Sequence, residues 1–375
     1  MRILRLQGYH PHAVVWEARI AAAVSSTPEL ADAGWEAQQD ALARLGHPAV
    51  DGFAAALRDR GHDAHDLQFK LPHVRRAFLA EHDLPPALAD DDADFLRAAV
   101  DALRPDVILE RDHGLLRSVG VARLRREFPT VSRVLLHHAV PHLDATVAEA
   151  DGVLVVCPAY RSTYAAAGAR RVGVLANAFY VPALPHVRAG PRDLALTFSG
   201  RSGFGGGSGK WSRYEHLHEL MTRTPLECWL GDDDKATVLG VSPLAVRSRV
   251  RTTLARLHRR VVGPPPGVTS AGPGDATDHG PARTPPEAWR PPLRPLSARF
   301  PGRVHPGVHG LDMLALLARS RVAFNRGPDR EGDCSGTFRI FEATAMGAAL
   351  LTERTSDLGD HFAIGEEVVA YRDVD

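Results

Sequence analysis

Residues 322 to 353 have the sequence VAFNRGPDREGDCSGTFRIFEATAMGAALLTE, which predicts a strand, a loop, a helix and a second strand in succession. The apolar residues at either end are typical of buried strands, whereas the part crowded with Gly, Asp, Arg and Ser predicts a loop. Ser335 or Thr337 is expected to cap a helix that continues to about Met346, and Gly347 is expected to end it. This succession indicates one unit of a parallel α/β sheet.

Two charged side chains lie near the start of the predicted helix. Arg339 is in the first turn, and Glu342 follows it by three residues, so the two are neighbours on one face. An Arg in the first turn opposes the helix dipole, and a bound anion would remove that conflict. Free backbone N–H groups at the helix start therefore predict a phosphate site, with Glu342 one turn deeper to accept hydrogen bonds from sugar hydroxyls. A surface ion pair worth well under ~1 kcal/mol is the alternative. The predicted donor-binding residues of this stretch are Ser335, Gly336, Thr337, Arg339 and Glu342.

The end of the chain resembles a known family. Residues 336 to 353, GTFRIFEATAMGAALLTE, and residues 357 to 375, DLGDHFAIGEEVVAYRDVD, are similar to the carboxy-terminal signature of spore-maturation (CgeB-like) glycosyltransferases. The resemblance implies a two-domain GT-B transferase that uses a nucleotide-sugar donor, with Glu342 holding the donor ribose. The related retaining families have a second glutamate eight positions earlier. This chain has Cys334 there, and Glu331, three residues off register, is the candidate substitute.

Composition excludes several classes of protein. The 375 residues are 44% apolar, which is enough for two domains of ordinary size. Because the net charge is zero, nucleic acid is not an expected partner. The chain has neither a signal-peptide pattern nor a stretch of roughly 20 apolar residues, so the protein is predicted to be cytoplasmic. Weak peripheral contact with anionic lipid through the arginines between residues 244 and 260 is the strongest membrane association expected.

The chain has three widely separated cysteines, Cys157, Cys228 and Cys334. Their number and spacing fit neither a disulfide framework nor a metal cluster. Their apolar neighbours predict buried thiols in a reducing compartment.

Strands and helices alternate along the first half of the chain. Strands are predicted at residues 2–6, 64–71, 106–110, 132–137, 152–157 and 171–175, and helices at 50–60, 91–103, 115–126, 145–150 and 159–167. Residues 58 to 67, RDRGHDAHDL, resemble the helix-to-strand corner at the start of GT-B amino-terminal domains. The alternation predicts a parallel sheet covered on both faces, in an amino-terminal, acceptor-binding domain of residues 1–180.

Polar residues follow several of these predicted strands. Functional groups of parallel sheets lie at the carboxyl ends of the strands. His10 and His12 follow the first strand and are the candidate catalytic residues for activating an acceptor hydroxyl, because histidine titrates near neutral pH. With 19 histidines in the chain, a structural or solvated role is the alternative for each of them. Further candidate contacts to the sugar or the acceptor are Gly8, His113, His137, His138 and Glu331.

The second half of the chain begins after a proline-rich linker, residues 181–192, and is predicted to form a nucleotide-sugar-binding Rossmann-like domain of residues 193–375. An insert of about residues 241–302 interrupts it. Much of this insert is Pro and Gly with few large apolar residues, so it is predicted to be disordered. Residues 232–234 are three aspartates with the Asp-x-Asp spacing of metal-dependent single-domain transferases. Two successive Rossmann-like halves argue against that fold, and no metal is expected.

A glycine-rich loop, SGRSGFGGGSGK, occupies residues 199–210. The phosphate-binding pattern GxxxxGK[ST] fails because it requires glycine where the chain has Phe204 and Ser or Thr where it has Trp211. The loop resembles instead the F-x-G-R…K loop of GT-B carboxy-terminal domains, which implies that Arg201 and Lys210 contact the donor diphosphate. A flexible loop with two solvated cations is the alternative.

The predicted fold class is α/β and GT-B-like, with two Rossmann-like parallel-sheet domains facing a cleft. The predicted function is a metal-independent glycosyltransferase of the hexosyl type, without a cofactor, that moves a sugar from a nucleotide-diphosphate sugar to a hydroxyl of a glycan, lipid-linked glycan or small molecule. Arg201, Lys210 and Arg339 would neutralise the departing diphosphate. Two alternatives stay open, namely a sugar-nucleotide epimerase of the same fold and a non-catalytic, vestigial binding protein.

Overall fold

A computed structural model describes residues 1–7, 18, 21–22, 28–31, 33–44, 52–69, 71–111, 115–188, 190–204, 211–231, 294–327 and 333–372 of the chain. The first half contains a six-stranded sheet in which every pair of neighbouring strands is parallel. Its strands are β1 (Arg2–Gln7), β2 (Asp63–Gln68), β3 (Val107–Glu110), β4 (Arg133–His138), β5 (Gly152–Val155) and β6 (Val172–Val174). The spatial order is β2-β1-β3-β4-β5-β6.

The second half contains another sheet of six parallel strands. They are β7 (Leu194–Gly200), β8 (Leu226–Leu230), β9 (Val304–Pro306), β10 (Ser320–Asn325), β11 (Ala349–Glu353) and β12 (Val368–Tyr371). Their order is β12-β11-β10-β7-β8-β9. The predicted α/β fold with two parallel sheets is confirmed, and the opening stretch supplies β10 and β11 as expected. The domain boundaries at residues 180 and 192 stay a prediction.

Thirteen helices are found among the described residues. They are α1 (Pro28–Ala31), α2 (Trp35–Arg44), α3 (Phe53–Arg58), α4 (Pro72–Glu81), α5 (Asp92–Leu103), α6 (Leu115–Val119), α7 (Val121–Glu127), α8 (Ala145–Glu149), α9 (Arg161–Ala166), α10 (Trp211–Arg223), α11 (Leu296–Arg299), α12 (Leu311–Arg319) and α13 (Phe338–Ala345). Short 3₁₀ turns occupy Pro86–Asp90, Pro158–Tyr160, Val181–His186 and Leu358–Asp360. No described helix has the length and apolar character needed to cross a membrane.

The predicted helix 115–126 is divided into two. Gly120 separates α6 from α7 and has a φ of 83°, in the left-handed region that a continuous α-helix excludes. The backbone N–H groups of Leu115 and Leu116 donate to the carboxylate of Glu110, at 2.9 and 3.1 Å, so a buried acid at the end of β3 caps the start of α6. The prediction of one helix was therefore wrong, because the glycine was not recognised as a break.

Two predicted disordered or connecting segments contribute to the core of the second sheet. Leu296 of α11 is completely buried against side chains of β7, β8 and α10, so the predicted disorder was wrong for residues 294–302. Ala183, in the 3₁₀ turn of the predicted linker, is buried beside α12 and α13. Residues 232–293, which include the three aspartates and most of the predicted insert, lie outside the described residues.

A disulfide joins the two halves of the chain. Cys157, just after β5, is bonded to Cys334, just before α13, across 177 residues of sequence. The prediction of three buried thiols was therefore wrong for this pair, because a separation of this size hides the contact from any local pattern. The prediction of a buried thiol is confirmed for Cys228, which is not part of a disulfide.

The pH dependence of stability can be tested at His65 on β2. Its Nδ1 lies 2.7 Å from a carboxylate oxygen of Glu36 on α2, and its Nε2 lies 2.8 Å from Asp63. The hydrogen bond with Glu36 and the two negative charges raise the pKa of His65 above 6.5, and the same hydrogen bond lowers the pKa of Glu36 below 4.5, although burial opposes both shifts. The pair therefore contributes its full stabilisation of the fold between pH 4.5 and pH 6.5, the ordinary pKa values of the two groups. This stabilisation declines as the pH rises through the raised pKa of His65.

We expect the difference in free energy of unfolding between the wild type and His65→Gln to be largest near pH ~6 and to shrink by pH ~9. Because the Glu36 side chain is half exposed, the difference should stay below about 1 kcal/mol. Urea denaturation at both pH values measures it. An equal difference at the two pH values would show that the charge of His65 contributes nothing to the fold.

Candidate active site at the switch point of the second sheet

The order in which the chain adds strands to the second sheet reverses between β7 and β10. From β7 the chain adds β8 and β9 on one side and then returns to place β10, β11 and β12 on the other. Ligands of open parallel sheets bind in the crevice at the carboxyl ends of the two strands that flank such a point. Arg201 follows β7 directly, and the loop after β10 leads into α13. The structure therefore brings two predicted groups, Arg201 and the start of α13, to the same edge of the sheet.

The start of α13 lacks a side-chain cap. Thr337 occupies the N-cap position, but its hydroxyl donates to the Asn325 side-chain oxygen at 3.3 Å rather than to the helix. Ser335 is also committed elsewhere, because its backbone N–H donates to Asp357 at 2.8 Å and its hydroxyl hydrogen-bonds with Thr355. The prediction that one of the two hydroxyls caps the helix was therefore wrong.

The backbone just before the helix offers two further N–H groups. Among the described residues, the backbone N–H groups of Gly336 and Thr337 have no protein acceptor. Unpaired N–H groups at the positive end of a helix form a binding site for an anion. Phosphate binding at this helix start stays a prediction.

Arg339 and Glu342 contact each other within this helix. The Arg339 Nη1 donates to a carboxylate oxygen of Glu342 at 2.8 Å and also contacts the sulfur of Met313 on α12. Only 22% of the Arg339 side chain and 13% of the Glu342 side chain are exposed. Among the described residues, the buried Nε of Arg339 has no hydrogen-bond acceptor. The pair is thus mostly buried rather than a surface ion pair. The Nε–H of the guanidinium is a further donor that Glu342 does not accept from.

Two buried arginines at this edge were missed by the sequence analysis. Arg213, in the first turn of α10, donates to the backbone oxygens of Arg201 at 3.3 Å and of Arg326 at 2.6 Å. Arg326, directly after β10, forms an ion pair with Glu353 at the end of β11. These contacts hold together the loops that follow β7 and β10. A search for polar residues at strand ends, applied to the second sheet as it was to the first, would have found Arg326.

Tyr371, at the end of β12, reaches the same edge of the sheet. Burial raises its pKa well above its ordinary value. Its hydroxyl therefore stays protonated and donates to the backbone oxygen of Asn325 at 3.2 Å. This bond ties β12 to the carboxyl end of β10.

His137 and His138 lie at the carboxyl end of β4 in the first sheet, and only 4% of each residue is exposed. The His138 Nδ1 hydrogen-bonds with the Tyr164 hydroxyl at 2.5 Å, and the His137 Nε2 lies 3.3 Å from the Leu175 backbone oxygen. Burial, together with the neighbouring His142 and His137, lowers the pKa of His138 to about 3, so its imidazole is neutral at neutral pH. Contact of these side chains with a sugar stays a prediction.

Several other predicted site residues lie outside the described part of the chain, and their roles stay predictions. They are Gly8, His10, His12, His113, Lys210 and Glu331.

The carboxy-terminal part of the chain matches a family model. The matched residues are 249–375, about a third of the chain, and the family is described as glycosyl transferase-like. They include β10, α13 and β11, which carry Arg326, the Arg339–Glu342 pair and Glu353. No curated protein matches the sequence significantly.

Several solved structures align with most of the chain at low identity. One is the HepE protein of Anabaena in complex with UDP-glucose, at 13% identity over 99% of this chain and 85% of that chain, with a TM-score of 0.46. Another is a putative UDP-N-acetylglucosamine 2-epimerase from Listeria monocytogenes, at 12% identity over 96% of this chain and 81% of that chain, with a TM-score of 0.41. A third is an α,α-trehalose-6-phosphate synthase from Burkholderia multivorans, at 13% identity over 76% of this chain and 63% of that chain, with a TM-score of 0.40. Likeness at this level assigns no activity. Residues 249–375 are similar to glycosyl transferase-like domains.

Proposed function

We propose that this protein is a glycosyltransferase that moves a sugar from a nucleotide-diphosphate sugar to an acceptor hydroxyl. The observation that carries the proposal is the start of α13, which lies in the glycosyl transferase-like domain and combines unused backbone N–H groups with the mostly buried Arg339–Glu342 pair. A helix end with free donors and an adjacent cation binds phosphate, and an adjacent carboxylate accepts hydrogen bonds from sugar hydroxyls.

The proposed mechanism depends on stabilising the departing diphosphate. The negative charge of the leaving group develops as the bond to the sugar breaks, and fixed positive groups stabilise that charge in the transition state. We assign this role to Arg201, Lys210, Arg339 and the amino terminus of α13, in place of a metal ion. Arg213 contributes indirectly, because it holds the backbone of Arg201 and of the loop after β10.

The acceptor belongs to the first domain in this proposal. We assign residues 1–180 to acceptor binding and residues 193–375 to the donor, joined by residues 181–192. His10 or His12 would remove the proton from the acceptor hydroxyl, since a histidine of ordinary pKa is a suitable base near neutral pH. The remaining candidate contacts to the sugar or the acceptor are Gly8, His113, His137, His138 and Glu331.

The first test is nucleotide binding by a single helix variant. Glu342→Gln keeps the shape of the side chain but removes the charged acceptor, so we expect the Kd for the preferred nucleoside diphosphate to rise about tenfold. The melting temperature without ligand should change little, because the amide can still accept from Arg339. Isothermal titration and thermal shift with a panel of nucleoside diphosphates measure the two effects.

The matched control is Asp94→Asn, which weakens another ion pair of the same spacing, Arg97 with Asp94 at 2.9 Å, on α5 in the first half of the chain. It should leave nucleotide affinity unchanged. If Glu342→Gln lowers the melting temperature without ligand and binds the nucleotide as well as the wild type, the pair has a structural role only.

Turnover separates the proposed activity from its alternatives. Incubation with nucleotide-diphosphate sugars should release free nucleoside diphosphate, slowly to water and faster with an acceptor. A changed sugar that is still attached to its nucleotide would identify an epimerase. Tight binding with neither product would identify a non-catalytic binding protein.

A further inference from the structure

The backbone just before α13 is held by a residue from the first half of the chain. Asn177 lies after β6 and is buried. Its side-chain Nδ2 donates to the backbone oxygen of Gly336 at 2.7 Å, across 159 residues of sequence. Buried hydrogen bonds of this kind are costly to remove because the orphaned carbonyl has no access to water.

Arg111 supports Asn177 from the other side. It follows β3 directly, and its Nη2 donates to the Asn177 Oδ1 at 3.2 Å. Its guanidinium also lies over the ring of Phe338, the first residue of α13, 5.1 Å from the ring centroid. Arg111 therefore orients the Asn177 amide, with the oxygen towards the guanidinium and the nitrogen towards Gly336, while it also contacts the helix itself.

The Gly336 oxygen and the Thr337 N–H belong to one peptide unit. A peptide unit is planar, and in the trans form its C=O and N–H point in opposite directions. The structure contains no cis peptide among the described residues. A hydrogen bond that fixes the Gly336 oxygen therefore also fixes the direction of the Thr337 N–H. A carbonyl that accepts a strong hydrogen bond also makes the N–H of its own unit a better donor.

We propose that Asn177 and Arg111 are positioning residues for the diphosphate of the nucleotide ligand, acting through the 336–337 peptide. The proposal rests on the proposed function, in that it takes the start of α13 as the phosphate site. It adds that residues of the first half of the chain set the direction of a phosphate donor in the second half. Nucleotide affinity is consequently sensitive to two side chains that never touch the nucleotide.

The loop has a second attachment that keeps it in place. The disulfide at Cys334 anchors the chain two residues before Gly336. Loss of the Asn177 bond should therefore alter the orientation of one peptide rather than release the loop.

The decisive variant is Asn177→Asp. It is nearly the same size and keeps an oxygen for Arg111, but it has no N–H to donate to Gly336. We expect the Kd for the nucleoside diphosphate that the wild type binds best to rise about tenfold, with the melting temperature within a few degrees of the wild type. Hydrogen–deuterium exchange should become faster in the peptide covering residues 334–341 without ligand, and Arg111→Met should reproduce both effects more weakly.

Arg192→Ala is the matched control. Arg192 donates to the backbone oxygen of Met346 at 3.0 Å, so it holds the opposite end of α13. This variant should lower stability and leave nucleotide affinity unchanged. Equal weakening by Arg192→Ala and Asn177→Asp would overturn the positioning role, because general loosening of the helix would then explain both.

The remaining outcomes separate the two proposals. Unchanged affinity and exchange in Asn177→Asp, with normal binding by the wild type, overturn the positioning role and leave the proposed function standing. A wild type that binds none of the nucleoside diphosphates overturns both.

Discussion

Replacing Arg326 with methionine is expected to lower the free energy of unfolding by about 3 to 5 kcal/mol. Only 4% of the Arg326 side chain and 10% of the Glu353 side chain are exposed, and the two form an ion pair at the carboxyl ends of β10 and β11. The second Nη of Arg326 donates to the Ser212 hydroxyl at 2.7 Å. Methionine has a similar volume but no charge, so it leaves the Glu353 carboxylate buried without its cation. Urea denaturation at constant pH measures the loss.

The double variant Arg326→Met with Glu353→Leu should recover most of this loss, because it removes both buried charges together. The control is Asp193→Asn, which weakens the exposed pair between Asp193 and Arg319, with an N–O distance of 2.6 Å. Its effect should be far smaller, since solvent screens an exposed pair. If Arg326→Met costs no more than this control, the Arg326–Glu353 pair is not buried in solution.

Removing the disulfide is expected to have an effect of similar size. The double variant Cys157→Ser with Cys334→Ser should lose about 3 to 5 kcal/mol of stability, because a cross-link between residues 177 apart removes much chain entropy from the unfolded state. Addition of a reductant to the wild type during denaturation should produce a comparable loss. The reductant should have no effect on the double variant.

Counting thiols tests the disulfide independently of stability. The wild type has three cysteines, and unfolding without reductant should expose one reactive thiol, that of Cys228. Cys228→Ala should then expose none and should keep the effect of reductant on stability. Three reactive thiols in the wild type, with no change in stability on reduction, would restore the prediction of three buried thiols.

Much of the fold could be predicted from the sequence because its causes are local. The strand predicted at residues 106–110 is observed as β3 (Val107–Glu110), since a short apolar run between turn signals is typical of a buried strand. Helix α13 ends as expected at Gly347, whose φ of 73° favours glycine over any other residue. The contact between Arg339 and Glu342 was also predicted, because residues three apart on a helix are neighbours whatever surrounds the helix.

Part of the candidate site was predicted for the same reason, and part was not. Position in the chain was enough to assign Arg201 and the start of α13 to strand ends. It was not enough to predict the environment of a side chain. Thr337 was expected to cap α13, but Asn325 lies close enough to bind its hydroxyl instead. The position of His138 at a strand end did not predict that it is buried beside Tyr164, where burial lowers its pKa and keeps it neutral. Its contact with a ligand stays a prediction.

The sequence by itself determined many of the strands and helices and the parallel arrangement, because apolar periodicity and turn chemistry act between residues a few positions apart. The tertiary structure alone decided the pairs between distant residues, namely Cys157 with Cys334, Asn177 with Gly336, and Arg326 with both Ser212 and Glu353. Each of these contacts depends on the order of the strands in a sheet or on how the two halves meet. The order of the strands depends on burying entire faces of the sheet and of the helices. That burial is a sum over many residues, so no local stretch of sequence specifies it.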